Sequence, residues 1–176
     1  MIFLYILIGI IVLLIILALI APKKFDVNRS MVIKRDKKAV FDYLKYIKNQ
    51  DEWSPWMKRD PDMHREFDGE DGNVGFVSRW DSNHKQVGAG EQEIKLILPN
   101  ERIENEIRFF KPFKSVNTGY FVLREVEPSI TEVTWGFHGK HKPPMNVMML
   151  FMSMDKMVGK DFEEGLHDLK LVMENA

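Results

Sequence analysis

The sequence contains no cysteine, which removes disulfide staples, thiol nucleophiles and thiolate-held zinc together. It also has no excess of positive charge: 25 Lys and Arg stand against 26 Asp and Glu, a net charge of −1. A nucleic-acid binder needs a basic surplus or at least a basic stripe to neutralise phosphates, and neither is present. The short motifs that carry catalysis are missing as well: there is no G-x-S-x-G elbow, no H-E-x-x-H and no G-x-x-x-x-G-K-S/T phosphate loop. The glycines between 69 and 75 lead into a strand pattern rather than a helix, so they read as a hairpin turn. His138 and His141 lie three apart near a strand end with no third ligand nearby, so neither a metal nor a cofactor is expected.

What is present is a globular composition with one unusual end. Charged residues make up 29% and hydrophobic residues 45% of 176 residues, enough for one domain plus a short appendage. The appendage is "IFLYILIGIIVLLIILALIA", Ile2 to Ala21, which carries no charge. At ~1.5 Å per residue it spans ~30 Å, the thickness of a bilayer's hydrocarbon. It lacks the basic leader, shorter apolar run and A-x-A-like site of a cleaved signal peptide. Residues 1–22 are therefore expected to be a transmembrane helix and 23–176 a folded domain. Charge begins after the apolar run, with Lys23 and Lys24, and the positive-inside rule then puts the domain in the cytoplasm, next to a cytoplasmic (inner) membrane.

Beyond the anchor, "FDVNRSMVIK" reads as a strand. Asp36 caps a helix whose Val40, Phe41, Leu44 and Ile47 recur at helical spacing. "DEWSPWMK" is a short helix or turn broken at Pro55. From Asp62 to Lys140 the pattern is antiparallel β, and alternation predicts inward faces. These are Val74, Phe76, Ser78 and Trp80; then Gln92, Ile94, Leu96 and Leu98; then Ile103, Asn105, Ile107 and Phe109; and finally Val133, Trp135 and Phe137. "NTGYFVLREV" is apolar on both faces, and its inward side is left open. From about Pro144 to Asn175 one long helix is expected, with Val147, Phe151, Met154, Val158, Phe162, Leu166, Leu169 and Val172 as its core stripe. Six of the eleven methionines fall between 145 and 157, so the first half of that helix is apolar nearly all round.

This order, with the segments "VNRSMVIKRDKKAVFDYL", "WSPWMKRDPDM", "GEDGNVGFVSRWDSN", "GAGEQEIKLILPNERIENEIRFFKPF", "EVTWGFHGK" and "MDKMVGKDFEEGLHDLK", resembles the START-like (SRPBCC) superfamily, in particular its bacterial polyketide cyclase/dehydrase-like branch. The resemblance covers residues 25 to 174. It implies an α+β helix-grip fold: a curved antiparallel sheet of about seven strands wrapped on a long C-terminal helix, with an apolar cavity between. Members of the superfamily bind lipids, sterols, hormones and polyketides, and some catalyse cyclisation or dehydration.

On that frame the candidate ligand-binding residues are the inward aromatics Phe76, Trp80, Phe109, Trp135 and Phe137, together with Ser78, Gln92 and Asn105. The last three are polar groups on faces otherwise expected to be buried, where each needs a partner. Trp53 and Trp56 are candidates for a lid. Met148, Met149 and Met152 are candidates for an adaptable wall, with a second core or lipid contact as the alternatives. The expected function is membrane-anchored, non-catalytic binding of a hydrophobic small molecule or lipid. A cyclase or dehydratase acting on an apolar substrate, and a cavity-less interaction module, remain as alternatives. No catalytic residue is named, no nucleic acid is expected, and a protein partner is left open.

Overall fold

The computed structural model describes residues 2–141, 143 and 145–175. Helix α1 (Ile2–Ile20) has no buried residue and stands away from the domain along most of its length. The domain begins with β1 (Lys24–Ile33) and α2 (Lys37–Leu44). The Asp36 carboxylate accepts from the backbone N–H groups of Lys38 and Ala39 at 2.9 and 3.2 Å, which satisfies two of the donors a helix start leaves open. A 3₁₀ turn (Ile47–Asn49) leads into α3 (Gln50–Trp53), and α4 (Pro55–Arg59) starts at the expected proline. Ser54, held extended at ψ 126°, separates the two short helices.

Six strands follow: β2 (His64–Asp68), β3 (Val77–Asp81), β4 (Ala89–Leu98), β5 (Arg102–Lys111), β6 (Ser115–Glu127) and β7 (Ile130–Lys140). With β1 they form one antiparallel seven-stranded sheet in the order β1-β7-β6-β5-β4-β3-β2. The first strand pairs with the last, so α2 to α4 carry the chain from one edge of the sheet to the other across its face. Two helices close the chain, α5 (Met145–Met148) and α6 (Met154–Asn175). α6 lies against β1 and α3, burying Phe162, Leu166, Leu169 and Met173 against Trp135, Val133 and Phe121 of the sheet. This is the helix-grip arrangement.

Several expectations are corrected. The single helix from Pro144 is two helices, because the chain turns between residues 149 and 153 and α6 starts afresh, with Met157 N–H donating to the Ser153 carbonyl. Val147 and Phe151 therefore leave the core stripe, and Phe151 is 83% exposed. No glycine or proline marks this break; tertiary contact overrides local propensity there. Pro144 and the side chain of Met145 lie outside the described residues. In β4 the register shifts between Ile94 and Leu96, so Ile97 turns toward the core in place of Leu96 and Leu98. Val74 sits in the exposed turn before β3, not on its inward face. The open face of β6 resolves with Gly119, Phe121 and Leu123 inward. Tyr120 is buried on the opposite side, donating to the Asp26 carboxylate at 2.9 Å.

Candidate functional site

Between the sheet and the α3, α4 and α6 layer lies a cavity of 220 Å³. Alternation along five strands supplies one wall: Trp80 of β3, Gln92 of β4, Asn105, Ile107 and Phe109 of β5, Gly119 and Phe121 of β6, and Trp135 and Phe137 of β7. The helices supply the other wall with Gln50, Trp56, Met57, Val158 and Phe162. The rings meet edge to face, Trp80 with Phe109 at 6.0 Å, Phe109 with Phe137 at 6.2 Å, and Trp56 with Trp135 at 5.5 Å. Such contacts stiffen a wall while leaving space between large, poorly compressible side chains.

Two glycines shape the space. Across three strands Asn105, Gly119 and Phe137 are register partners. Gly119 lines the cavity, and the end of the Ile107 side chain comes into the space a side chain at 119 would take. Gly136 yields its space on the other face of the sheet to the Tyr120 ring.

Polar groups are few and unequal. Gln92 and Gln50 are joined by one bond, with Nε2 of Gln92 donating to Oε1 of Gln50 at 3.0 Å. Asn105 is only 5% exposed, and its Oδ1 accepts no hydrogen bond. Leaving such an acceptor unmet costs roughly 1–3 kcal/mol. The described lining holds no Asp, Glu, His, Lys, Arg or Tyr.

The side of the cavity formed by α4 is clamped from outside. Arg59 makes a two-pronged bond to Asp161 of α6 at 2.5 and 3.0 Å, and Lys58 pairs with Asp168 at 2.7 Å. The bond to Asp161 raises the pKa of Arg59 further, against the opposing effect of partial burial. Trp56 and Met57 thus project inward from a segment tied to α6 by the next two residues in sequence.

Seven of the thirteen residues expected in the site line this cavity: Trp56, Trp80, Gln92, Asn105, Phe109, Trp135 and Phe137. Trp53 lies behind it, fully buried edge-on to Trp135 at 4.9 Å with its own Nε1–H unpartnered. Phe76 belongs to a separate cluster with Ile47 and Ile94. Ser78 is buried opposite Gln92 in the ladder, yet outside the cavity. Met148, Met149 and Met152 are elsewhere altogether, because the turn after α5 carries them to the end of α1; Met149 and Met152 line a second, open groove there. Of the lining residues sequence reasoning missed, Gln50, Met57, Val158 and Phe162 lie on helices, where the facing side depends on how the helix docks; Gln86 and Val87 lie in the loop between β3 and β4; and at Gly119 the signal is an absent side chain. His141 stacks on Phe25 at 4.7 Å and His138 lies beside Tyr120. Among the described residues no cluster of three metal-ligating side chains occurs.

No family model matches the sequence, and no curated protein matches it. Solved structures do. An aromatase/cyclase from a Streptomyces species superposes with a TM-score of 0.63 at 12% identity, over 86% of this chain and 94% of that one. The Aha1 dimer from Colwellia psychrerythraea gives 0.59 at 16% identity, over 85% and 96%. A protein from Mesorhizobium loti gives 0.59 at 15% identity, over 86% and 98%. These similarities establish a START-like, helix-grip fold that spans nearly the whole length of each neighbour.

Proposed function

We propose that the chain is a membrane-anchored binding protein for a compact apolar ligand bearing one hydrogen-bond donor. The observation that carries the reading is the partly open aromatic cavity on whose described wall Asn105 Oδ1 is a fully buried acceptor without a partner. Its 220 Å³ lies below the ~300–1,000 Å³ of sites for drug-sized ligands, so a molecule of one or two rings suits it better than an intact phospholipid. Residues 1–22 act as the anchor and 23–176 as the binding domain, with Lys23 and Lys24 favouring a cytoplasmic domain. Contact between the end of α1 and the domain supports retention of that helix: Ala21 is buried and the Ala18 carbonyl accepts a hydrogen bond from Asn146. Tethering keeps the cavity close to a bilayer that dissolves apolar ligands, which raises its effective concentration for them.

The aromatase/cyclase neighbour favours a second reading, an enzyme that folds an apolar substrate. General acid–base chemistry wants a titratable group within hydrogen-bond reach of the substrate, and the described lining offers amides and a serine but no such group. That favours binding.

One experiment tests the binding reading. Quenching of tryptophan fluorescence in the full chain, held in lipid nanodiscs, is followed on adding 2-naphthol or 2-methylnaphthalene. The proposal expects saturable binding with 2-naphthol preferred about tenfold, the value of one good hydrogen bond. Equal partition of both compounds, as into empty nanodiscs, contradicts it.

A further inference from the structure

The α5 segment and the turn after it carry exposed apolar surface that the cavity does not use. Met148, Leu150, Phe151 and Met152, joined by Met157 in the first turn of α6, are all more than a third exposed. Scattered apolar residues need no explanation, but a run of this kind marks an interaction surface. Asn146 fixes where that surface lies. Fully buried, it donates through Nδ2 to the Ala18 carbonyl at 2.7 Å, in the last turn of α1. Phe151 follows five residues later through tight turns, with Met149 N–H bonded to the Asn146 carbonyl and Phe151 N–H to that of Met148. Even a fully extended path of that length reaches only ~17 Å, so Phe151 stays near the level at which α1 ends.

The groove beside this turn, 360 Å³ in volume, combines apolar and cationic walls. Pro22, Phe25, Met149 to Met152 and Met154 supply the first and Lys24 and Lys156 the second, with Ser153 and His141 completing the lining. No carboxylate lines it among the described residues. The nearest in sequence, Asp155, is engaged by Arg29 at 2.8 Å.

We propose that this turn is seated in the interfacial layer of the leaflet in which α1 ends, with Phe151 and its apolar neighbours among the acyl chains and Lys24 and Lys156 on lipid phosphates. The inference rests on reading α1 as a membrane span. Continuity with α1 and the pairing of an apolar turn with flanking cations, which matches the layering of a leaflet, select lipid as the occupant over a protein partner. A second attachment fixes how the domain faces the membrane. Phe25 lines the groove and touches Phe137 of the cavity wall at 5.3 Å, so the seat and the cavity share a wall.

The cysteine-free chain allows a direct test. Nitroxide labels are placed singly through Phe151→Cys, Leu13→Cys in mid-α1 and Val74→Cys on the far hairpin. The full chain is reconstituted in phosphatidylglycerol vesicles, and collision with oxygen is compared with collision with a water-soluble nickel chelate. The proposal expects the labels at 13 and 151 to favour oxygen and the label at 74 to favour nickel. A label at 13 in lipid with one at 151 as nickel-accessible as that at 74 overturns the seat alone and leaves the patch to a protein partner. Nickel access at both 13 and 151 overturns the anchor and the seat together. Lys24→Gln with Lys156→Gln is expected to lower the immersed fraction of the label at 151 about fivefold per lysine; an unchanged fraction overturns the assignment of those lysines to phosphate.

Discussion

Gln92 of β4 donates through Nε2 to Oε1 of Gln50 in α3 at 3.0 Å, a single amide pair that straps the sheet to the helical layer at the rim of the cavity. Because the Gln92 donor and the Gln50 acceptor meet each other, this pair is expected to hold shape rather than recognise a ligand. Gln92→Leu should lower stability by about 1 kcal/mol, and the double replacement Gln50→Leu with Gln92→Leu should cost less than the two single changes summed, since no polar group is then left stranded. Urea denaturation of the three variants measures this; strict additivity would show that the two amides do not act together.

Asn105 is the contrasting case. Its Oδ1 is buried without a partner, so Asn105→Leu removes a stranded acceptor and should leave the empty protein as stable as before or more stable by about 1 kcal/mol. The same change should abolish the preference for 2-naphthol over 2-methylnaphthalene. Thermal melting with and without each compound separates the two effects.

Filling the cavity from its smallest wall residue should block it without unfolding the sheet. A Cβ at Gly119 would meet only the mobile end of Ile107, at 2.8 Å from Cδ1, and valine suits a strand. Gly119→Val is expected to keep stability within about 1.5 kcal/mol while reducing naphthol affinity at least about tenfold, as read by titration calorimetry.

Exchange of the ligand should depend on the clamp behind Trp56. Arg59→Gln leaves the cavity lining intact but removes the two-pronged bond to Asp161. A charged hydrogen bond of this kind is worth roughly 1.5–3 kcal/mol, so stopped-flow dissociation of naphthol should quicken by about tenfold or more with little change in the lining contacts. An unchanged rate would show that α4 does not gate the cavity.

Acid should loosen the sheet on its outer face. Lys95, and with it Arg108, holds the Glu93 carboxyl below the usual carboxylate range, against the opposing effect of partial burial. A carboxyl lowered in the folded state contributes stability that is complete above its unfolded value, about 4.3, and is lost as pH falls through the lower folded value. The melting temperature should therefore fall as pH drops below about 4.3, and Glu93→Gln should flatten that part of the curve.

How much was legible in the sequence follows from how local each determinant is. Asp36 capping α2, Pro55 opening α4 and the period-two faces of β5 and β7 depend on neighbours a few residues away, and all formed as expected. The strands place Asn105, Phe109, Trp135 and Phe137 on the cavity wall. Ile94 to Leu98 offered no such guidance: with three consecutive apolar residues after Lys95, a one-residue bulge costs nothing in the pattern and decides that Ile97 faces inward. The segment before the break in the C-terminal helix is docked by Asn146 on Ala18, 128 positions away in sequence, and no helical periodicity encodes that contact. Methionines expected on the cavity wall lie instead at the end of α1 for the same reason.

The most direct test of the account is to purify the full chain from membranes in mild detergent, extract it with organic solvent and identify by mass spectrometry what the protein releases, beside the Gly119→Val variant treated identically. The account predicts a compact apolar molecule with a hydroxyl or amine group, close to one per wild-type chain and depleted in the variant. Extracts in which wild type and variant release the same detergent and phospholipid and nothing else, together with no naphthol binding by the wild type, would contradict it.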